Sequence, residues 1–198
     1  MPGTIEFFGN DILKSVTGFN NLTSIGGDFL FWLNSNIDTI AAFESLDSVG
    51  GELYVELSQA ISDFPRNNRF EFIGGDISLH QLNIVDLSCL QELDSIPGSL
   101  SISFCPNLTS LHGIEHLTSL GGLSLGVLYK LPDLHDLQNL SSLGGELSIT
   151  NCDSLSNVDA LEGIISINGL LRFSSNDNLE NIQGVRHIDT QGFIAEYP

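Results

Sequence analysis

The sequence predicts a mainly β solenoid of about nine stacked coils, each 23 or 24 residues long. Three observations predict it: a glycine recurring in fixed phase, a short apolar alternation just after it, and an apolar beat of three through the rest of each coil. The glycines are plainest in Ser24-Ile25-Gly26-Gly27, Ser48-Val49-Gly50-Gly51, Ile73-Gly74-Gly75, Ile96-Pro97-Gly98, Leu120-Gly121-Gly122 and Leu143-Gly144-Gly145. One anchor per coil gives Gly3, Gly27, Gly51, Gly75, Gly98, Gly121, Gly145, Gly169 and Gly192, spaced 24, 24, 24, 23, 23, 24, 24 and 23 residues apart. The whole chain, residues 1–198, therefore reads as one solenoid domain.

Each coil opens with a strand. Two residues after the anchors stand Ile5, Phe29, Leu53, Ile77, Leu100, Leu123, Leu147, Leu171 and Ile194. Four after them stand Phe7, Phe31, Val55, Leu79, Ile102, Leu125, Ile149 and Phe173. Such alternation is a strand with one buried face. The preceding glycine is expected to supply a corner where φ can be positive and no Cβ intrudes. The period then changes to three, as in Leu131, Leu134, Leu137, Leu140 and Leu143. That beat fits either a 3₁₀-like wall or short bends between β-bridges. A lone coil has nothing to bury these side chains against, so coils must stack, about 4.8 Å apart. Residues Ser62 to Arg69, centred on Phe64-Pro65, break the beat and predict a bulged loop.

Composition narrows the partners. Twenty-five acidic residues against six basic ones give a formal charge of −19, which repels phosphate backbones and anionic lipid. Nucleic acid and membrane insertion are therefore not expected, and no apolar run approaches the ~20 residues of a span. Cys89, Cys105 and Cys152 lack the CxxC spacing of a zinc site. Cys105 and Cys152 fall two coils apart, about 9.6 Å, beyond disulfide reach, so these two are expected to be buried free thiols on a corner. No cofactor is expected.

The stretch Leu140-Ser141-Ser142-Leu143-Gly144-Gly145-Glu146-Leu147-Ser148-Ile149, followed by Asn151 and Leu155, resembles the repeats of receptor L domains. So do Ser24-Ile25-Gly26-Gly27-Asp28-Phe29 and Asn107-Leu108-Thr109-Ser110-Leu111. Those domains are the leucine-rich, right-handed β-helical ligand-binding modules of the insulin and EGF receptor families, and similar repeats occur in fungal cell-wall and bacterial surface proteins. The resemblance implies a right-handed, leucine-rich-repeat-like solenoid, and by analogy ligand binding on the sheet face. Both ends are in phase and open, which leads us to expect an excised segment, a partner-capped solenoid or an end-to-end homo-oligomer; Glu196 and Pro198 would discourage edge pairing.

Outward positions lie one, three and five residues after each anchor. In the first four coils they include Phe8, Leu30, Trp32, Tyr54, Glu56 and His80, an aromatic patch with polar edges suited to a protein or glycan partner. Further on, the same positions become Ser101, Ser103, Ser124, Ser148, Thr150 and Ser174. A second constellation, His112, His135 and Asp159, falls fourteen residues after successive anchors and could meet a divalent transition metal. Three separately solvated side chains are the competing expectation. His112-Gly113-Ile114-Glu115-His116 matches the HxxEH pattern, but that chemistry needs a helix and Gly113 intrudes. Carboxylates recur after the anchors at Asp28, Glu52, Asp76 and Glu146, read as a solvated acidic edge. Asn21, Asn107 and Asn139 fit the N-glycosylation pattern, which the repeat itself generates.

These features point to a non-catalytic binding module of a secreted or cell-surface protein. A structural spacer or adhesin stalk is the alternative. A β-helical polysaccharide-active enzyme fits less well, because it needs paired carboxylates or cations at one spot.

Overall fold

The computed structural model describes residues 2–56 and 69–188. The expected bulge over Ser62 to Arg69, apart from Arg69 itself, lies outside the described residues, as do Gly192, Ile194, Glu196 and Pro198. The molecule is mainly β, a stack of coils making about seven turns. Among the described residues nine strands form a parallel sheet: eight, one per coil, run in the order Ile5–Phe8, Phe29–Trp32, Leu53–Glu56, Ile77–His80, Ile96–Ser103, Ser119–Gly126, Leu147–Thr150 and Leu171–Ser174, and Ser142–Leu143 pairs beside Ser119–Gly126.

Register follows the anchor phase. Ile5, Phe29, Leu53, Ile77, Leu100, Leu123, Leu147 and Leu171 are successive partners. Where a coil has 23 residues rather than 24, the sheet absorbs the loss locally: Ile96 pairs with Leu120, but Ser99 pairs with Gly122, one residue short. Inward side chains from every coil join one cluster running from Val16 to Ile188, as burial of an alternating face requires.

Of the described anchors, Gly3 has the expected positive φ, at 145°, but the others do not. Gly27, Gly51, Gly75, Gly98, Gly121, Gly145 and Gly169 all lie outside the left-handed region. Their smallness serves close approach: a Cβ on Gly98 would lie 2.6 Å from the carbonyl carbon of Gly75, and one on Gly121 would lie 2.5 Å from the Gly98 oxygen. The left-handed corner falls six residues later, at the far end of the strand. There stand Gly9, Leu33, Gln81, Phe104, Val127, Asn151 and Ser175, with φ between 53° and 64°. Most are residues that seldom adopt this conformation.

One residue beyond the corner, the first two coils and the last described one carry asparagine. Asn34, buried at 2% exposure, accepts from the backbone N–H of Asn10 at 3.0 Å. It donates to the carbonyls of Phe7 and Trp32 at 2.8 and 2.9 Å. Asn176, half-buried, likewise accepts from the Cys152 N–H and donates to the Ile149 carbonyl. An amide survives burial because each of its polar atoms has a partner.

The wall with period three adopts both conformations left open by the sequence. In the first two coils it contains paired strands, Ser15–Gly18 with Thr39–Ala42. Later it forms 3₁₀ turns at Ser88–Leu90, His135–Leu137, Asp159–Leu161 and Gln183–Val185. The period has a direct cause. Leu137 N–H donates to Leu134 O and Leu140 N–H to Leu137 O, so each apolar residue closes a turn on the previous one. A side chain two residues before each 3₁₀ turn holds its first N–H: Asp86, Asp133, Asn157 and Asn181 accept from Ser88, His135, Asp159 and Gln183. These are Asx turns.

Candidate functional site: an aromatic ladder on the sheet

Strand alternation places residues three and five after the anchors on the outer face. On the first four coils the rungs bring aromatic rings into contact along the solenoid. Phe8 and Trp32 stack with centroids 4.2 Å apart, Trp32 meets Tyr54 edge-on at 6.3 Å, and Tyr54 meets His80 at 5.4 Å. Rungs at strand spacing suit offset stacking. The expected residues are thus assembled, though as a half-buried ladder: Phe8 is 51% exposed, while Trp32, Tyr54 and His80 cover one another. Leu30 lies beside them, also half-buried.

Polar contacts hold the rings. Trp32 Nε1 donates to Glu6 Oε1 at 3.3 Å, and Tyr54 OH donates to Glu56 Oε2 at 3.0 Å. Gln81 Nε2 donates to the other Glu56 oxygen at 3.3 Å. Glu6 and Gln81 are members of the site that the residue pattern did not single out. Glu6 occupies the same outward position as Leu30 and Tyr54, and that spacing was its only signal. Burial, the hydrogen bond to Glu56, and the Glu56 and Glu52 charges push the Tyr54 hydroxyl up to about 12, so it remains a donor at neutral pH.

Below the ladder, His80 Nδ1 lies 2.5 Å from Ser103 Oγ. Glu56, His80 and Ser103 thus occupy one vertical column on consecutive rungs. Burial lowers the His80 imidazole, opposed by the Glu56 carboxylate. The column has the residue types of a nucleophile, base and acid, but the hydrogen bonds described for Glu56 come from Tyr54 and Gln81. The N–H of Phe104, next to the serine, is bonded to Gly126 O. An acyl-transfer site needs donors aimed at a developing oxyanion, and this donor is spent on the neighbouring coil.

The second constellation does not assemble. His112 Nδ1 turns to Glu115 at 2.9 Å. His135 and Asp159 share a surface concavity of about 440 Å³ with Asp133, Gln138 and Glu162, and His112 is not among its lining residues. Among the described residues no three His, Cys, Asp or Glu side chains gather as metal ligands. Fourteen-residue spacing sets the three on adjacent rungs, but each local turn aims its own side chain. The HxxEH stretch is not helical: Gly113 has φ 112°, and His116 Nε2 turns to the Leu93 carbonyl.

Two of the four acidic residues after the anchors, Asp28 and Asp76, serve as inter-coil braces. Asp28 accepts from the Glu52 N–H at 2.9 Å and Asp76 from the Ser99 N–H at 2.7 Å. Burial, followed by the Asp76 and Asp28 charges, raises the Glu52 carboxyl above its ordinary value. The three cysteines are free and buried. Burial pushes Cys89 up to about 12 and Cys105 and Cys152 up to about 11, so none is a thiolate at neutral pH. Asn107 and Asn139, which fit the N-glycosylation pattern, spend their amides on Asn83 and on the Glu115 carbonyl.

Fold and ladder together define a β-solenoid repeat protein with one differentiated patch on its sheet face. No family model, curated protein or solved structure matches the chain.

Proposed function

We propose that this chain is a non-catalytic binding module of a secreted or cell-surface protein, taking a protein or glycan ligand on the sheet face of its first four coils. One observation carries the reading: Phe8, Trp32, Tyr54 and His80 form an unbroken ladder on a surface where the next four coils place no aromatic residue, only serine, threonine, Gly126 and Arg172. A solenoid gains nothing in core stability from aromatics on its outer face. Rigid rings held by Glu6 and Glu56 lose little entropy on binding, which suits an anchor cluster. The resemblance of the repeats to receptor L domains supports the reading by analogy, since those modules use a similar face. The strongly acidic, lysine-poor composition fits an extracellular setting.

The test is capture by the immobilised chain from panels of purified glycans and secreted proteins, compared with Trp32→Ser. Serine already occupies this position at Ser103 and Ser174, so the coil should accept it, as circular dichroism will check. Selective loss of capture is expected. Identical capture by both forms removes the ladder from the site and favours the spacer or stalk reading, which the mostly small, polar positions of the later coils also suit.

A further inference from the structure

We propose that the ladder's occupant is a cationic protein segment, whose lysine or arginine stems lie along the ring edges while their heads reach the flanking carboxylates. This rests on the ladder being a docking face and goes further by naming the chemistry of the partner. Glu6, Asp28, Glu52, Glu56 and Asp76 stand on the outward positions of these four coils, and no lysine or arginine does.

The hydrogen bonds described for these carboxylates come from neutral donors. Thr4 and the Glu52 N–H serve Asp28, Trp32 serves Glu6, Tyr54 and Gln81 serve Glu56, and the Ser99 N–H serves Asp76. Such bonds orient a carboxylate without cancelling its charge, and a carboxylate has about four acceptor sites. The ion pairs of Arg69 with Glu92 and of His112 with Glu115 lie elsewhere. Mutual repulsion is visible at Glu52, whose carboxyl is raised in part by Asp76 and Asp28. A surface whose described charges are all of one sign steers and selects an opposite partner.

Ring geometry favours the same occupant over a sugar. The faces that Phe8 and Trp32 turn toward each other are spent at 4.2 Å, so a pyranose cannot stack between them. Ring edges and Leu30 offer a narrow apolar ridge, which matches the methylene stems of long basic side chains. Among the described outward positions, charge and aromatics coincide only here. On the following two coils the same positions hold Ser99, Ser101, Ser103, Gly122, Ser124 and Gly126.

Trp32 is the sole tryptophan, so its fluorescence reports on the ladder directly. The full chain is titrated with an oligoarginine decapeptide and, separately, with an oligoglutamate decapeptide and cellohexaose. A saturable change with oligoarginine alone is expected, weakening as salt rises. Removing two charges from the face, Glu52→Gln with Glu56→Gln, should weaken binding about tenfold. Removing two from the opposite wall, Asp133→Asn with Asp159→Asn, should weaken it less than about twofold. Equal weakening by both pairs marks a general polyanion effect and overturns the proposal, as does a silent Trp32 with oligoarginine. A response to cellohexaose instead overturns the cationic assignment and leaves the docking face standing. Silence to all three probes, together with unchanged capture by Trp32→Ser, overturns both.

Discussion

Val127 holds a β-branched side chain at φ 57°, in a corner that Gly9 and Asn151 fill elsewhere. Left-handed backbone costs an L-residue about 1–2 kcal/mol, less for asparagine, whose side chain bonds locally. Val127→Asn is therefore expected to stabilise the chain by about 1 kcal/mol, read as a higher midpoint in urea. An unchanged or lower midpoint would show that the corner bears no such strain. Glu52 presents the opposite case, a residue whose ionised form is disfavoured by its setting. Its carboxyl is raised in the folded state from 4.5, so the protonated form favours folding. That contribution is complete below the unfolded value and is lost as pH rises through the folded one. Glu52→Gln should accordingly raise the melting temperature at pH 7, and the gain should vanish below about pH 4, where the native residue is protonated. A gain of the same size at both pH values would assign it to packing instead.

At the scale of the coil, the anchors set how closely neighbours approach. A Cβ on Gly98 would meet Asp76 N at 2.6 Å and the Gly75 carbonyl carbon at 2.6 Å, both backbone atoms that cannot move alone. Gly98→Ala must force neighbouring coils apart and is expected to cost about 2–3 kcal/mol. Gly126→Ala, on an outward position whose nearest neighbours are Thr150 Oγ1 at 3.4 Å and Ser103 Cβ at 3.6 Å, should change stability by less than about 0.5 kcal/mol. Denaturation of the two variants side by side decides it; equal effects would mean that coil spacing is not set at the anchors. The asparagines beyond the corner are the other inter-coil device. They were hidden in the sequence because the same position holds Leu82, Cys105 and Leu128 in other coils, and nothing in the pattern says which coils use an amide there.

Across the whole molecule, stability should accumulate coil by coil from neighbour contacts. The phase of the repeat, the inward columns and the membership of the ladder were all legible from spacing, because a coil of constant length converts sequence distance into vertical neighbours. Phe31, Val55 and Leu79 share one buried column for that reason. Tertiary structure alone decided where the left-handed corner falls, since Leu33, Phe104 and Val127 give no local sign of it. It also decided which wall segments become strand or 3₁₀, and that His112 turns to Glu115 while His135 and Asp159 line a concavity without it. Periodicity tells a side chain which rung and which face it occupies. Its direction and its partners depend on local dihedrals and on what the adjacent coil presents, and those exist only once the coils are stacked.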